Sequence, residues 1–346
     1  MTSHRLGVGL SPGRPVSVSR RTRFPARVAL PVLWALAITA VPALAQVRPP
    51  RWEASASARP ARAGFALRVG NLRVPLRVLA VPVLPGAEID IMREGAAGGR
   101  LVAESGDGRL SQHGVDHWVW TAPSTPGFHA VRVISSEPRD TIHLTFMVVR
   151  PMTDSAQGAL NGYAIGTYRP RPPSMSAAYE PPRGLVEVRP RDYDILVSPN
   201  FRLGQFLCKQ PGDPRYLLTS ARLLIKLEAL LVAVNEAGYA TPGLTVMSGF
   251  RTPAYNRAIG NTTDFSRHLW GDAADVFVDA DGDGDMDDLN GDGRHDLQDA
   301  RWLADVVDRM MTASPGLAAG GLSMYRRNAA HGPFVHVDAR GVRARW

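Results

Sequence analysis

The chain has 346 residues, of which 45% are hydrophobic and 21% charged, a composition typical of a globular protein long enough for two domains. Its net charge of +8 is concentrated at the start, because residues 1–45 hold six arginines and no acids. Removing those six from the 40 basic residues leaves 34 against 32 acids, a net charge of +2. The charge balance therefore gives little support to a nucleic-acid partner, and none is predicted. The single cysteine, Cys208, excludes an intramolecular disulfide.

Residues 1–45 have the pattern of an export signal. Four arginines precede an apolar run over residues 28–40, and Ala43-Leu44-Ala45 then forms a small-x-small cleavage site. The run is shorter than the roughly 20 residues that span a bilayer. A cleaved signal peptide is therefore predicted, with an uncleaved anchor as the alternative. After cleavage no stable membrane span is expected, and the mature protein would lie in the periplasm or outside the cell.

Residues 46–150 predict an all-β immunoglobulin-like sandwich. Short runs rich in β-branched and aromatic residues alternate with turns that contain glycine, proline or aspartate. The predicted strands are residues 65–69, 74–78, 89–92, 117–121, 128–133 and 142–149. Residues 120–133 resemble the closing strands of bacterial immunoglobulin-like modules. The module carries no cluster of catalytic groups, so we expect it to act as a spacer or to bind the cell wall or a protein partner.

Residues 151–194 are rich in proline and predict an extended linker to a second domain over residues 195–346. In that domain, leucines and valines recur at helical spacing from residue 219 or 220 to 237, and Gly238 stands at the position of a C-cap. A short buried strand over residues 244–247 then leads to Arg251. Strands mixed with helices predict an α+β domain.

Three segments of the second domain concentrate candidate metal ligands: residues 248–253, 266–275 and 331–338. A catalytic zinc takes three nitrogen or oxygen ligands and keeps one position open for water. His268 and Asp275 fit if His268 ends a loop, Gly271 permits a turn, and Asp275 starts a strand. His336 lies on a predicted strand over residues 334–338, where alternation places it on one face with Asp338. Two facing strands would bring His268, Asp275 and His336 to one ion.

Two further residues are candidates for the chemistry around such an ion. The planar guanidinium of Arg251 suits a substrate carboxylate, which it can bind in two places. His331, five residues before His336, could move a proton or stabilise a tetrahedral intermediate. Taken singly, each of these residues also fits an ordinary structural role, so the prediction depends on the whole set.

The combined motifs resemble the M15 family of zinc D-Ala-D-Ala carboxypeptidases. The matching pattern is Ser-Gly-Tyr-Arg, with Phe250 in place of tyrosine, then Ser-x-His-x2-Gly-x-Ala-x-Asp over residues 266–275, and His-Val-Asp over residues 336–338. The resemblance covers about residues 195–346 and implies the hedgehog/DD-peptidase fold. It also implies zinc bound by His268, Asp275 and His336, and Arg251 in contact with substrate or intermediate.

The substrate class follows from the same resemblance, which implies hydrolysis of peptide bonds in peptidoglycan stem peptides by a D,D- or L,D-carboxypeptidase or endopeptidase. Many members of the family carry a glutamate two or three residues before the last ligand, whereas Pro333 and Phe334 stand there in this chain. The general base therefore stays open. His331 matches a branch with histidine at that spacing, and Asp338 is a candidate to orient His336. One alternative is a non-catalytic, metal-stabilised protein that binds the cell wall or a partner, and another is an amidase or an endopeptidase of cross-links with the same zinc chemistry.

Residues 272–299 contain eleven aspartates in 28 positions. One loop has the EF-hand spacing of calcium ligands, with glycine at position 6 and aspartate replacing glutamate at position 12, as in dockerin-type loops. Its predicted ligands are Asp288, Asn290, Asp292, Arg294 through its carbonyl, Asp296 and Asp299. An overlapping set consists of Asp279, Asp281, Asp283, Asp285, Asp287 and Asn290. We predict an insert over residues 279–299 that binds one or two Ca²⁺ ions, followed by a helix over residues 297–311. A solvated acidic loop is the alternative.

Overall fold

The computed structural model describes residues 47–95, 98–314, 316–317 and 319–346. The predicted signal peptide lies outside these residues. The described residues belong to one compact unit. None of their helices is long and apolar enough to cross a membrane.

The described residues of the N-terminal module form nine strands. They are β1 (Arg62–Val69), β2 (Leu72–Leu76), β3 (Val78–Val83), β4 (Glu88–Glu94), β5 (Leu101–Ser105), β6 (Arg109–Gly114), β7 (His117–Thr121), β8 (Gly127–Ser136) and β9 (Arg139–Val148). One sheet has the order β2-β1-β4-β7-β6, and the other has the order β3-β9-β8-β5. Trp120 of β7 stacks on Phe146 of β9 with ring centroids 4.3 Å apart, and this buried contact joins the two sheets.

The strand pattern differs from the sequence prediction at two places. The predicted strand over residues 74–78 covers part of β2 and only the first residue of β3, which belongs to the other sheet. Strands β5 and β6 were not predicted. Both lie at sheet edges and carry several polar residues, so they lack the hydrophobic alternation of a strand that buries one face.

The proline-rich segment over residues 151–194 is a packed part of the structure rather than an extended spacer. It contains β11 (Ala159–Leu160), β12 (Tyr163–Ala164) and β13 (Gly184–Val188), and it starts within β10 (Arg150–Pro151). Strand β13 pairs on one side with β10 and on the other with β16 (Arg215–Leu217). The segment thus ties the module to the second half of the chain through backbone hydrogen bonds.

The second half is α+β. Its remaining strands are β14 (Leu196–Ser198), β15 (Phe201–Arg202), β17 (Thr245–Ser248), β18 (Ala273–Phe277), β19 (Gly321–Tyr325), β20 (Phe334–Asp338) and β21 (Ala344–Arg345). Its helices are α1 (Ala221–Glu236), α2 (Pro253–Ala258) and α3 (Leu297–Ala313). A five-stranded sheet has the order β17-β18-β20-β19-β21, and α3 packs against β19 and β20.

Helix α1 follows the sequence prediction closely. Ser220 caps it by accepting a hydrogen bond from the Arg222 N–H. Its apolar face is fully buried, at Leu223, Leu224, Leu227, Leu230, Leu231 and Val234. Burial of each such side chain contributes roughly 1.5–3 kcal/mol. The helix therefore provides the core on which the sheet and its loops rest.

Candidate metal centre

His268 is held on a short 3-10 turn, Arg267–Trp270, which ends two residues before the inner strand β18. Gly271 ends this turn in the left-handed region, with φ 65°. A Cβ at Gly271 would lie 2.1 Å from the Leu218 carbonyl oxygen, so no larger residue fits there without movement of backbone. The tight turn places the imidazole of His268 beside the start of β18.

The pairing of β18 with β20 brings the other two candidate ligands together. The strands are antiparallel, and Asp275 lies directly opposite His336. Asp275 Oδ1 is 2.9 Å from His336 Nδ1 and 3.2 Å from His268 Nε2. The two imidazole nitrogens are themselves 3.2 Å apart. These short distances bring the three predicted ligands together in one compact cluster, and all three residues are buried.

The hydrogen bonds around the cluster orient lone pairs toward its centre. His268 Nδ1 lies 2.6 Å from the Gly249 carbonyl oxygen and donates to it, which leaves Nε2 as an acceptor. His336 Nε2 faces Asp338 Oδ2 at 3.4 Å, so its Nδ1 is the atom that faces the cluster. Two nitrogens and one carboxylate oxygen therefore converge in a buried space, an arrangement that a cation stabilises.

The donor set fits zinc. A tetrahedral zinc with ligand bonds of about 2.0–2.2 Å has neighbouring ligand atoms about 3.3–3.6 Å apart. The observed separations of 2.9, 3.2 and 3.2 Å require only a small outward movement of the three side chains to reach that range. Two imidazoles and one carboxylate also form a common set of protein ligands for catalytic zinc.

The protonation equilibria of the cluster follow from burial and charge. Burial alone would raise the pKa of Asp275, but the charges and hydrogen bonds of His268 and His336 outweigh it and hold that pKa well below its usual value. Burial lowers the pKa of His268. Burial also acts against a charge on His336, but hydrogen bonds to Asp275 and Asp338 raise its pKa overall. A metal ion would compete with the proton on His336, so metal binding would release it.

Arg251 is bound to a candidate ligand. Its Nη2 donates to Asp275 Oδ2 at 2.5 Å, and its Nε donates to Ser248 Oγ at 2.8 Å. Asp275 therefore directs one oxygen to the cluster and the other to the guanidinium. The Nη1 group of Arg251 makes no hydrogen bond with any described residue, so the predicted two-point contact with a carboxylate is reduced to this one group.

Asp338 lies behind His336 and is fully buried. Its Oδ2 accepts hydrogen bonds from Arg340 Nε at 2.8 Å and Nη2 at 2.5 Å, and its Oδ1 accepts one from the Gly321 N–H. Burial opposes the charge of this carboxylate, but His336 and Arg340 hold its pKa well below the usual value. The arrangement orients the imidazole of His336 and leaves Asp338 at a distance from the centre of the cluster.

His331 lies on the loop before β20. Its Nδ1 donates to the Gly332 carbonyl, and its Nε2 accepts from the Asn328 amide at 2.8 Å. The ring packs edge-on against Phe334, which shares one face of β20 with His336 by alternation. Within the described part of the chain, no hydrogen bond joins His331 to the three candidate ligands. Its catalytic role stays a prediction.

The acidic insert forms two successive turns before α3. In the first, carboxylate oxygens of Asp279, Asp281 and Asp287 lie within 4.8 Å of one another. Asp285 instead pairs with Arg327, a residue of the loop that carries His331. Asp283 Oδ1 accepts a hydrogen bond from the Asp285 N–H.

In the second turn, the candidate calcium ligands accept backbone hydrogen bonds. Asp288 accepts from residues 291–293, Asn290 from Asp292, and Asp292 from Arg294. Asp296 caps α3, and Asp299 is fully buried, with Oδ1 accepting from the N–H groups of residues 289 and 290. Calcium at either turn remains a prediction.

Some residues around the cluster were not found from the sequence. Trp346 packs on His336 with ring centroids 5.3 Å apart, and Arg340 stacks on Trp346. Lys226 of α1 is buried and donates to the Asp338 carbonyl oxygen. Arg340 belongs to the family pattern that follows His-Val-Asp, so the sequence marked its position but not its contacts, whereas the contacts of Lys226 and Trp346 depend on the tertiary fold.

Comparisons with known proteins agree with the geometry. Residues 203–289 match the family model described as Peptidase M15, which supports an M15-type peptidase domain in this chain. Members of that family are zinc peptidases. The match includes Arg251, His268 and Asp275 and ends before His336. No curated protein matches the chain. The crystal structure of the titin M3 domain aligns with 25% of this chain and 99% of its own, at 14% identity and a TM-score of 0.17, which is too low to bear on the fold.

Proposed function

We propose that this protein is an exported zinc peptidase that hydrolyses peptide bonds in peptidoglycan stem peptides, as a D,D- or L,D-carboxypeptidase or endopeptidase. The observation that carries the proposal is the buried cluster of two imidazoles and one carboxylate at separations close to those of tetrahedral zinc ligands. The M15-type peptidase match covers two of these three residues. The export signal predicted from residues 1–45 would place the substrate outside the cytoplasm.

Each residue of the candidate site would have its own role in this reaction. His268, Asp275 and His336 would hold zinc, which when bound would supply Lewis acidity and make an attacking water more nucleophilic near pH 7. Arg251 fixes the second oxygen of Asp275 and would bind the carboxylate end of the substrate through Nη1. Asp338 fixes the ring of His336. His331 would exchange a proton with the leaving amine or the attacking water.

The test is a muropeptide digest with the zinc-loaded protein, in which products are identified by mass spectrometry. We expect released D-alanine or shortened stem peptides from the wild type. We expect no product from His268→Ala, which should also lose bound zinc in elemental analysis. A wild-type protein that binds one zinc but leaves every muropeptide intact would refute the catalytic proposal.

One observation favours a second function. Pro333 and Phe334 stand where many members of the family have a carboxylate, and neither can act as a base. The alternative is a metal-stabilised protein that binds the cell wall or a partner without cleaving it. Co-sedimentation of the wild type with intact peptidoglycan, together with no product in the muropeptide digest, would support this alternative.

We propose two further parts of the function. The acidic insert would bind Ca²⁺ and stiffen the chain next to Asp275, because the cluster of Asp279, Asp281 and Asp287 begins four residues after that ligand. Removal of Ca²⁺ should lower both the melting temperature and the peptidase activity; no change in either would refute the calcium site. The N-terminal two-sheet module would be immunoglobulin-like and would hold the enzyme on the cell wall or on a protein partner.

A further inference from the structure

Residues 166–180, which we call the strap, pack against the loop that carries His268. Tyr168 Oη donates to the Leu269 carbonyl oxygen at 2.9 Å, and Trp270 Nε1 donates to the Glu180 carbonyl oxygen at 2.8 Å. Arg169 forms an ion pair with Asp264 at 3.1 Å. The strap therefore binds the loop on both sides of His268, although it belongs to the proline-rich segment rather than to the matched peptidase residues.

The start of the strap has no room for a side chain. Gly166 has φ +80°, and a Cβ there would lie 2.7 Å from the Ala254 backbone nitrogen. The Ala254 N–H donates to the Ile165 carbonyl at 3.0 Å, which anchors this end of the strap to the first turn of α2. The strap is thus held at close range at this end, and at its other end through Ala178 and Glu180.

Arg267, the residue before His268, is the centre of the contact. Its guanidinium forms two hydrogen bonds with Asp272, at 2.9 and 2.5 Å, and two with the Ala178 carbonyl oxygen, at 3.0 and 3.1 Å. It also stacks on the ring of Tyr179 at 4.3 Å. Arg267 is only 3% exposed, so these partners replace water around a buried charge.

Aromatic rings close the contact around this charge. Tyr179 meets Trp270 edge-on at 5.6 Å and Phe265 edge-on at 6.0 Å, and the latter two rings stack at 6.1 Å. The loop itself offers little regular structure, only one 3-10 turn and a left-handed glycine. Its geometry therefore depends on what packs against it, and Tyr179 supplies a large part of that packing from the strap.

The opposite side of the loop is attached to the sheet. The Arg251 N–H donates to the His268 carbonyl oxygen at 3.1 Å, and the Ala339 N–H donates to the Asp272 carbonyl oxygen at 2.8 Å. The loop with His268 is therefore clamped between the strap and the sheet that carries Asp275 and His336. Loss of the strap would leave the loop held on the sheet side alone, by these bonds and by the one between His268 Nδ1 and the Gly249 carbonyl.

We propose that the strap positions His268 for metal binding, with Tyr179 and Arg267 as positioning residues, so that metal affinity depends on a segment outside the peptidase match. This inference rests on the zinc site proposed above. The ring of Tyr179 and the carbonyl of Ala178 hold the Arg267 guanidinium in place. Arg267 in turn fixes the backbone of the turn that presents the imidazole.

The test compares Tyr179→Ala with Tyr179→Phe in the full chain. Phenylalanine keeps the ring that Arg267 stacks on, so it is the matched control. In the metal-free protein, we expect the amides of residues 264–271 to exchange hydrogen at least about tenfold faster in Tyr179→Ala, with strand β18 unchanged. We expect zinc affinity, measured by competition with a chelator, to fall about tenfold, the lower end of the effect of losing a residue that orients a ligand. Tyr179→Phe should stay within about twofold of the wild type in both measurements.

Amide hydrogen exchange in the metal-free protein tests the positioning role of the strap independently of peptidase activity. If Tyr179→Ala lowers the melting temperature but leaves the exchange of residues 264–271 at the wild-type rate, the ring has a purely structural role and the inference is wrong. Equal zinc affinity in all three proteins would overturn it as well. A wild type that binds no zinc would instead refute the proposed function, and the exchange comparison would still decide the role of the strap.

Discussion

Replacement of Gly271 by alanine should lower the free energy of unfolding by more than the cost of its left-handed backbone conformation alone. An alanine in the left-handed region costs roughly 1–2 kcal/mol. At Gly271 the new Cβ would also lie 2.1 Å from the Leu218 carbonyl oxygen and 3.0 Å from the Thr219 nitrogen. These are backbone atoms, so the turn must move, and such overpacking costs typically about 1–3 kcal/mol more. The expected total loss of unfolding free energy is about 2–5 kcal/mol.

Gly260→Ala is the matched control, because Gly260 has φ +78° and a Cβ there meets nothing within 4 Å. Its free energy of unfolding should fall by only the roughly 1–2 kcal/mol that the left-handed backbone conformation costs an alanine. Urea unfolding of both metal-free variants measures the difference, and chelator competition measures zinc affinity. We expect Gly271→Ala to bind zinc at least about tenfold more weakly, since the turn places His268. Equal losses of unfolding free energy in the two variants would refute the added cost of placing a Cβ at residue 271 close to the Leu218 carbonyl oxygen.

Three further predictions concern side chains around the cluster. Arg251→Lys should weaken zinc binding about tenfold in a chelator competition, because lysine cannot hold both Ser248 and the second oxygen of Asp275; unchanged affinity would contradict this. Asp285→Ala should speed hydrogen exchange in residues 326–332, because it removes the ion pair with Arg327, and wild-type exchange there would count against that contact. Burial lowers the pKa of Lys226 to about 8. The unfolded chain therefore binds more protons between about pH 8 and 10.4, and wild-type stability should rise with pH in that window. Lys226→Met should lack this rise in denaturation measured across the window.

The local sequence was sufficient for the elements that bury a regular apolar face. Helix α1 was predicted within two residues, because its leucines recur at helical spacing and Ser220 and Gly238 mark its ends. Strand β20 was predicted with its observed bounds. The edge strands β5 and β6 were missed, because an edge strand is stabilised by pairing with its neighbour rather than by a pattern of its own.

In the candidate site, too, some features follow from local sequence and others from tertiary packing. His268, Asp275 and His336 could be named as a set because their spacing follows a family pattern and alternation along β20 fixes one face. The sequence could not show that Arg251 binds the second oxygen of Asp275, nor that the proline-rich segment packs on the loop that carries His268. These contacts join residues 24 and 101 positions apart. Short-range patterns report the period and the ends of an element, whereas such contacts depend on how distant elements pack, and only the folded chain decides that.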